Sequence, residues 1–436
     1  MDDLAARHHD APVDEESRAA LAAQDLELRI VANDDADGVV EWLRAMERGF
    51  LASEPKEEHT RAVAERIVQR RLAGVFDASG PLPGLPIGTF ASWVGELTVP
   101  GGGGIPSCAI SMVTVAPTHR RRGLLRSMMA GELRVAHELG VPMAMLTVSE
   151  STIYGRFGFA SAAYSARGRI DTTRVRWTGP ATPGRIDFIT RERFREVAPD
   201  LHDRARRAMP GEIAMPVGHW DRFAGTRPDA EHPERIRALQ YTDAAGELQG
   251  VALYTVRENE ADFPRSKAHL LRLVAATADA YAALWRFVLE LDLIGEVEAS
   301  ELAVEEPVFW MIGDRRAATV TVRDHQYLRI LDVPAALTAR RYAASGSVVL
   351  DVTDPFGFAE GRWLLEVDAD GTATVSTDIP EGLPVVRLGV AELSAAYLGS
   401  VSLATLTAAG RVEATDVFAA ARLFAWPVPA RLSFWY

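Results

Sequence analysis

The run from Ala109 to Pro142 leaves this chain few folds to choose from. A strand-like stretch, Ala109-Ile110-Ser111-Met112-Val113-Thr114-Val115, passes through Ala116-Pro117-Thr118-His119 into Arg120-Arg121-Arg122-Gly123-Leu124-Leu125-Arg126. Leu124, Leu125, Met128, Met129, Leu133, Ala136 and Leu139 then recur at helical spacing, until Gly140 and Pro142 stop the helix. The helix buries one stripe and leaves its N-terminus free. Such an end presents unpaired N–H groups and the positive pole of the dipole, and three arginines add formal charge, so the junction suits a pyrophosphate. Gly123 matters because a side chain there would block a phosphate's approach to the backbone. A merely solvated basic cluster would read the same in isolation; the surroundings separate the two. The backbone of Val113-Thr114-Val115 can pair with an extended, amide-containing ligand. A second strand, Met143 to Val148, leads into Ser149-Glu150-Ser151-Thr152-Ile153-Tyr154-Gly155-Arg156-Phe157-Gly158-Phe159. A phosphate site at one end and a tyrosine-bearing turn at the other bracket a ligand-sized crevice.

With 436 residues the chain exceeds a single ordinary core and divides into about three globular units. No apolar run approaches the roughly 18 residues that span a bilayer. The N-terminus is acidic at Asp2 and Asp3 rather than basic and then apolar, so no signal peptide or membrane partner is expected, and the cytoplasm is the expected location. One cysteine, Cys108, excludes an internal disulfide and any multi-cysteine metal site. It lies in a strand-like run where packing is its expected role, and no metal is expected. The net charge of −13 argues against nonspecific nucleic-acid binding, which needs a basic face. It suits a cationic substrate, although acidity also serves solubility.

Residues 1–24 carry no apolar periodicity and read as a mobile arm or a solvated helix, with no role for His8 or His9. A first domain is expected over 25–174, interrupted by loops at Pro81–Gly88 and Pro100–Pro106, with a strand at Thr89–Val99 between them. A Gly/Pro/Thr linker at Thr178–Gly184 introduces a second, over 175–317. Its strands are expected at Leu248–Val256 and His269–Val274 and its helix at Ala280–Leu291, while Arg204, Arg206 and Arg207 read as a solvated helix face. A third unit, 318–436, is expected to open with a strand at Tyr327–Val333, continue through Val348–Val352 and Arg362–Val367, and carry a helix from Thr415 to Phe424.

Val113 to Gly123 resembles the acetyl-CoA signature of GCN5-related N-acetyltransferases (GNATs), in the form Val-x-Val-x-Pro-x-x-Arg-Arg-Arg-Gly, with Leu125 replacing the third small residue of the common pattern. Taken with Tyr154-Gly155-Arg156-Phe157-Gly158-Phe159, it closely resembles the Eis (enhanced intracellular survival) family. The likeness continues at Val274–Ala280 with Ala283-Leu284-Trp285, and at Leu328-Arg329-Ile330 with Asp332–Leu337, so it covers most of the chain from about residue 27 onward.

The resemblance implies an α/β (α+β) protein: two tandem GNAT-like mixed-sheet domains, then a sterol-carrier-like α+β domain, assembled as a hexamer. It implies an enzyme that moves acetyl from acetyl-CoA directly to a primary amine of a small molecule, aminoglycoside-like amines included. A protein lysine acceptor, and a nonenzymatic protein carrying an apolar ligand, are the alternatives. By the family pattern the backbone of Val113, Thr114 and Val115 holds the pantetheine arm. Arg121, Arg122, Gly123, Leu124, Leu125 and Arg126 hold the pyrophosphate, and Ser149 and Glu150 line the same cosubstrate. Tyr154 is the implied general acid for the departing thiolate, and the terminal carboxylate of Tyr436 the implied general base. Pro427-Val428-Pro429 and Phe434-Trp435-Tyr436 suit a tail that is stiff and buried. In the second domain the equivalent junction, Ala275–Ala280, has no glycine or basic residue and carries Asp279, so no cofactor is expected there. Members that acetylate aminoglycosides have an acid where this chain has Trp435, and an acid in the helix-loop that here reads Phe50-Leu51-Ala52-Ser53. A less negative, more aromatic acceptor pocket follows.

Overall fold

The computed structural model describes every residue from Met1 to Tyr436. The chain forms two compact units, one of Met1–Ala163, His325–Val428 and Trp435–Tyr436, the other of Tyr164–Asp324 and Pro429–Phe434. No helix is long and apolar enough to cross a membrane.

The first unit opens with α1 (Asp2–His9) and α2 (Glu15–Ala22), then β1 (Glu27–Val31), α3 (Ala36–Gly49), α4 (Glu57–Ala64), β2 (Arg71–Phe76), β3 (Gly88–Thr98), β4 (Gly104–Val115), α5 (Leu124–Glu138), β5 (Met143–Thr147) and the single turn α6 (Ser151–Tyr154). β1, β2, β3 and β4 pair antiparallel in sequence order, and β4 and β5 pair parallel. All six residues of β2 are buried, as expected of a strand covered on both faces. On one face Trp42, Leu43 and Met46 of α3 pack with Leu72, Phe76 and Ala91. On the other, Leu124, Met128, Met129 and Leu133 of α5 meet Phe90, Cys108, Ile110 and Leu146, each large side chain contributing about 1.5–3 kcal/mol by burial.

The N-terminal residues are helical and docked rather than a mobile arm. His8 is completely buried and hydrogen-bonds Glu132 of α5 at 2.8 Å. Asp14 caps α2 and receives Arg134 through two hydrogen bonds of 2.9 and 2.6 Å, while Ser17 Oγ donates to the Ser127 carbonyl at 2.7 Å. Leu21, fully buried in the core, and Leu4, Ala5 and Val13 packed against it add apolar contacts to these polar and ionic ones.

The second unit comprises β6 (Ala160–Asp171, from Tyr164 onward), β7 (Arg185–Ile189), α7 (Arg191–Arg206), α8 (Val217–Ala224), β8 (Arg237–Thr242), β9 (Leu248–Arg257), β10 (Ser266–Ala275), α9 (Ala278–Leu289), β11 (Ile294–Leu302) and the start of β12 (Ala318–Ile330). Pairing runs antiparallel from β7 through β8 and β9 to β10, parallel from β10 to β11, and antiparallel from β11 to β6. This repeats the pairing pattern of the first sheet, and the tandem arrangement expected from the resemblance is present. Arg206 corrects the solvated-face reading: it is only 4% exposed and ion-paired with Asp203 at 2.7 Å, and Arg204 donates to the Leu248 carbonyl.

The strand expected to open the third domain belongs elsewhere. Gln326–Ile330 of β12 pair antiparallel with Thr147–Met143 of β5, extending the first unit's own sheet beyond β5. Only after it come α10 (Val333–Ala339), β13 (Gly346–Thr353), β14 (Gly361–Val367), β15 (Ala373–Ser376), β16 (Val385–Gly389), α11 (Val390–Ala396), α12 (Leu403–Ala408), β17 (Val412–Ala414) and α13 (Val417–Phe424). Their five-stranded sheet has the order β15-β14-β13-β16-β17. A strand's alternation reveals that it is a strand, not which sheet receives it.

Candidate active site

The parallel ladder between β4 and β5 runs from Ser107↔Met143 to Ile110↔Leu146 and stops there, although β4 continues to Val115 beside β3. Met112 interrupts β4 with a φ of +52°, and the β3–β4 register shifts alongside it. A bulge of this kind bends its strand. The two strands therefore part at their C-terminal ends, where open sheets of this type receive ligands. Val113, Thr114 and Val115 line the β4 bank of that opening.

Beyond β4 the chain turns through Pro117–His119 into α5. Gly123 stands at the N-cap with φ +83°, and no side chain caps the helix. A Cβ at Gly123 would meet nothing within 4 Å, so its glycine serves a left-handed backbone at an open approach. Arg120, Arg121, Arg122 and Arg126 are exposed, Leu124 is buried in the core and Leu125 half-buried against it. The helix start thus offers free N–H groups among four guanidinium groups, and the residues present fit a diphosphate.

On the other bank β5 leads through exposed Ser149 and Glu150 into α6, which ends on Tyr154. Tyr154 is buried, edge-on to Phe159 with centroids 6.4 Å apart. Burial, and then the nearby Glu150 carboxylate, push its phenol above the ordinary value, so the group stays protonated.

Tyr436 lies at the end of the same strand. Its backbone oxygen accepts from Thr147 Oγ1 at 3.3 Å, and its ring stands edge-on to Trp93, with centroids 5.3 Å apart. The residue is half-exposed while its phenol oxygen is buried, which, with Cys108 nearby, raises that phenol well above its usual range. The ring, edge-on to Trp93, anchors the tail beside β5. Upstream, Ser433 is gripped by Arg272, and Arg431 pairs with Glu212 at 3.3 Å, within the second unit.

Trp93 and Thr147 carried no sequence signal, because neither belongs to a motif and both matter only through the tail they meet. Cys108 is fully buried, and its thiol is pushed well up by burial and then by Glu132, so it is no nucleophile. In the second unit the helix that follows β10 is capped by Thr277, whose hydroxyl accepts from the Ala280 N–H at 3.2 Å, and Asp279 adds negative charge to the first turn. Its N-terminus is satisfied by its own side chain.

Residues 29–162 and 211–330 each match a family of acetyltransferase (GNAT) domains, and residues 333–432 match a sterol carrier protein domain. A protein of Streptomyces avermitilis, named only as an N-acetyltransferase, is 39% identical over 400 residues, covering 89% of this chain and 93% of that protein. N-acetyltransferase Eis of Mycobacterium tuberculosis is 34% identical over 352 residues, covering 78% and 83% of the two chains. Among solved structures, Eis1 from Mycobacterium abscessus superposes with a TM-score of 0.79 at 26% identity, covering 94% of this chain and all of that one (100%). A GCN5-related N-acetyltransferase from Kribbella flavida does so with a TM-score of 0.71 at 25% identity, covering 95% and 100%.

Proposed function

The chain belongs to the Eis family of GNAT N-acetyltransferases, and on that premise we propose that acetyl-CoA enters the opening between β4 and β5 and that Tyr154 and the Tyr436 carboxylate handle the protons of transfer to an amine. The observation that carries this reading is the parting of the two strands after Ile110↔Leu146, with the start of α5 on one bank and the Tyr154 turn on the other. Arg121, Arg122 and Arg126 neutralise the diphosphate, while the N–H groups from Gly123 to Arg126 bind it. The backbone of Val113–Val115 pairs with the amides of the pantetheine arm, and Ser149 and Glu150 flank it.

Acetyl-CoA supplies a thioester carbonyl that a neutral amine attacks directly. The Tyr436 carboxylate, held beside Thr147, accepts the ammonium proton. An N–H of Val113–Val115 polarises the carbonyl oxygen as negative charge develops on it. Tyr154 donates its proton to the departing thiolate, a task suited to a phenol kept neutral by burial.

The acceptor is a small primary amine of low charge rather than a polycation. Gly49, at the end of α3, sits so close to Thr114 that a Cβ there would fall 2.2 Å from its Oγ1, so the loop that follows lies beside the thioester end of β4. That loop presents Phe50 and Leu51, 49% and 73% exposed. Exposed apolar side chains at a substrate opening favour an apolar body behind the reacting amine. Assembly as a hexamer is part of the same reading.

Release of CoA thiol across a panel of monoamines, aminoglycosides and lysine peptides tests it. Tyr154→Phe is expected to lower kcat about 10²-fold with KM for acetyl-CoA little changed. Removal of Tyr436 is expected to abolish most turnover while acetyl-CoA still binds. Wild-type rates in both variants would remove both assignments, and a preference for aminoglycosides over monoamines would overturn the acceptor class.

A further inference from the structure

Tyr154 ends a four-residue helix and is followed by one 3-10 turn, Gly155–Phe157, too short to hold a side chain in place unaided. The contacts that do so come from far along the chain. Phe157 is buried, and its carbonyl accepts from Arg329 Nε at 3.1 Å. Arg329 is fully buried and spends its remaining donors on the Ile330 carbonyl and on both oxygens of Asp354, at 2.8 and 2.9 Å. Asp354 in turn accepts from the backbone N–H groups of Phe356 at 3.0 Å and Ala359 at 2.9 Å, which sets the shape of the β13–β14 loop. That loop then grips both banks of the proposed site. Phe356 packs against Phe157, with centroids 6.3 Å apart, and Phe358 stacks on His137 of α5 at 4.7 Å. Gly158, at φ +84°, allows the close fit, since a Cβ there would approach Val390 of α11 to 2.9 Å.

We propose that the β13–β14 loop of the sterol-carrier-like domain, acting through Arg329, is the positioning element for the proposed catalytic acid: it holds the Tyr154 turn at a fixed distance from the cofactor helix. The proposal rests on the assignment of Tyr154 as that acid. It gives the third domain a part in acetyl transfer that requires no ligand of its own. All three guanidinium nitrogens are engaged, Nε by the Phe157 carbonyl, Nη1 by the Ile330 carbonyl and Nη2 by both Asp354 oxygens, which fixes the plane of the group more tightly than a lone hydrogen bond would. Arg329 and Asp354 touch neither substrate, so they are positioning residues, and a loss of activity on mutating them must be traced to Tyr154 rather than to general unfolding.

A double-mutant cycle does this. Asp354→Asn and Phe358→Ala are each made in the wild-type and the Tyr154→Phe backgrounds, and kcat and the KM for acetyl-CoA are measured. In the wild-type background Asp354→Asn is expected to lower kcat about tenfold and Phe358→Ala about threefold, with KM within about twofold. In the Tyr154→Phe background both are expected to cost less than about twofold, because the group they position is gone. Equal losses in the two backgrounds would overturn the proposal, as would unchanged kcat in the wild-type background. Should Asp354→Asn fail to fold, Phe358→Ala, at a half-exposed residue, decides alone. A Tyr154→Phe enzyme with undiminished kcat would instead remove the assignment of Tyr154 and be distinguishable at once.

Discussion

Tyr154 and Glu150 illustrate how a single exposed carboxylate can tune a buried acid. Under the proposed assignment of Tyr154 as the acid, only the neutral phenol can donate a proton, so activity should persist until the pH rises through its pKa. Burial, and secondarily Glu150, raise that pKa, which moves the alkaline limb of the kcat profile upwards. Glu150→Gln removes the repulsion felt by the phenolate while leaving Tyr154 in place. The limb is therefore expected to shift to lower pH, whatever change in plateau follows from altering a side chain that flanks the proposed cosubstrate. A profile recorded between pH 7 and about 11 checks the sign; a limb that moved upwards, or did not move, would show that another group sets it.

At the scale of elements, α5 has two attachments with different purposes. Its N-terminus, uncapped by any side chain, is the proposed diphosphate site, and its middle is held by the N-terminal helices. Gly131 is where α2 comes closest: a Cβ there would lie 2.6 Å from Ser17 Oγ and 3.0 Å from the Asp14 Cβ. Gly131→Ala is accordingly expected to destabilise by roughly 1–3 kcal/mol, as overpacking does. The same substitution in a chain lacking the first 24 residues meets no obstacle there and is expected to be neutral or mildly stabilising, since alanine favours helix. Thermal unfolding of the four proteins tests this, and an equal penalty in both backgrounds would mean that α2 does not sit against Gly131 in solution.

Across the whole molecule, buried charge joins the apolar core in making long connections. Glu132 projects from the apolar side of α5, where a lone carboxylate would be costly. Burial opposes its ionisation, but the hydrogen bond and charge of His8, the charge of Arg71 and the hydrogen bond from Ser92 outweigh it and hold Glu132 at about 2, against an ordinary 4.5. A carboxylate depressed on folding stabilises fully above its unfolded pKa and loses that contribution as the pH falls through its folded one. The stability gap between wild type and Glu132→Gln, on the order of 3 kcal/mol, is therefore expected to be constant from about pH 6 down to about pH 4.5 and to close towards pH 2. Denaturant unfolding at pH 6, 4 and 3 would reveal it; a gap that widened on acidification would contradict the assignment.

The local pattern of the chain was enough to find β4, α5 and the Tyr154 turn, because strand alternation, helical spacing and an arginine-flanked glycine are properties of neighbours in sequence. The resemblance carried the tandem acetyltransferase architecture and the sterol-carrier-like domain with it. What remained hidden depends on partners far apart. His8 meets Glu132 across 124 residues, Tyr436 meets Thr147 across 289, and Arg329 meets Phe157 across 172. A polar residue in an unpatterned arm, a glutamate on an apolar stripe and an arginine within a strand each look like an exception until folding supplies the counterpart. Glu132 was the one readable warning, since a charge on a buried face must be paired. The strand at Tyr327–Val333, expected to open the third unit, proved to pair with β5 instead, for the alternation of a strand is indifferent to its neighbour. Short-range sterics select the elements; hydrogen bonds and charge pairs closed over hundreds of residues select the arrangement that makes a site of them.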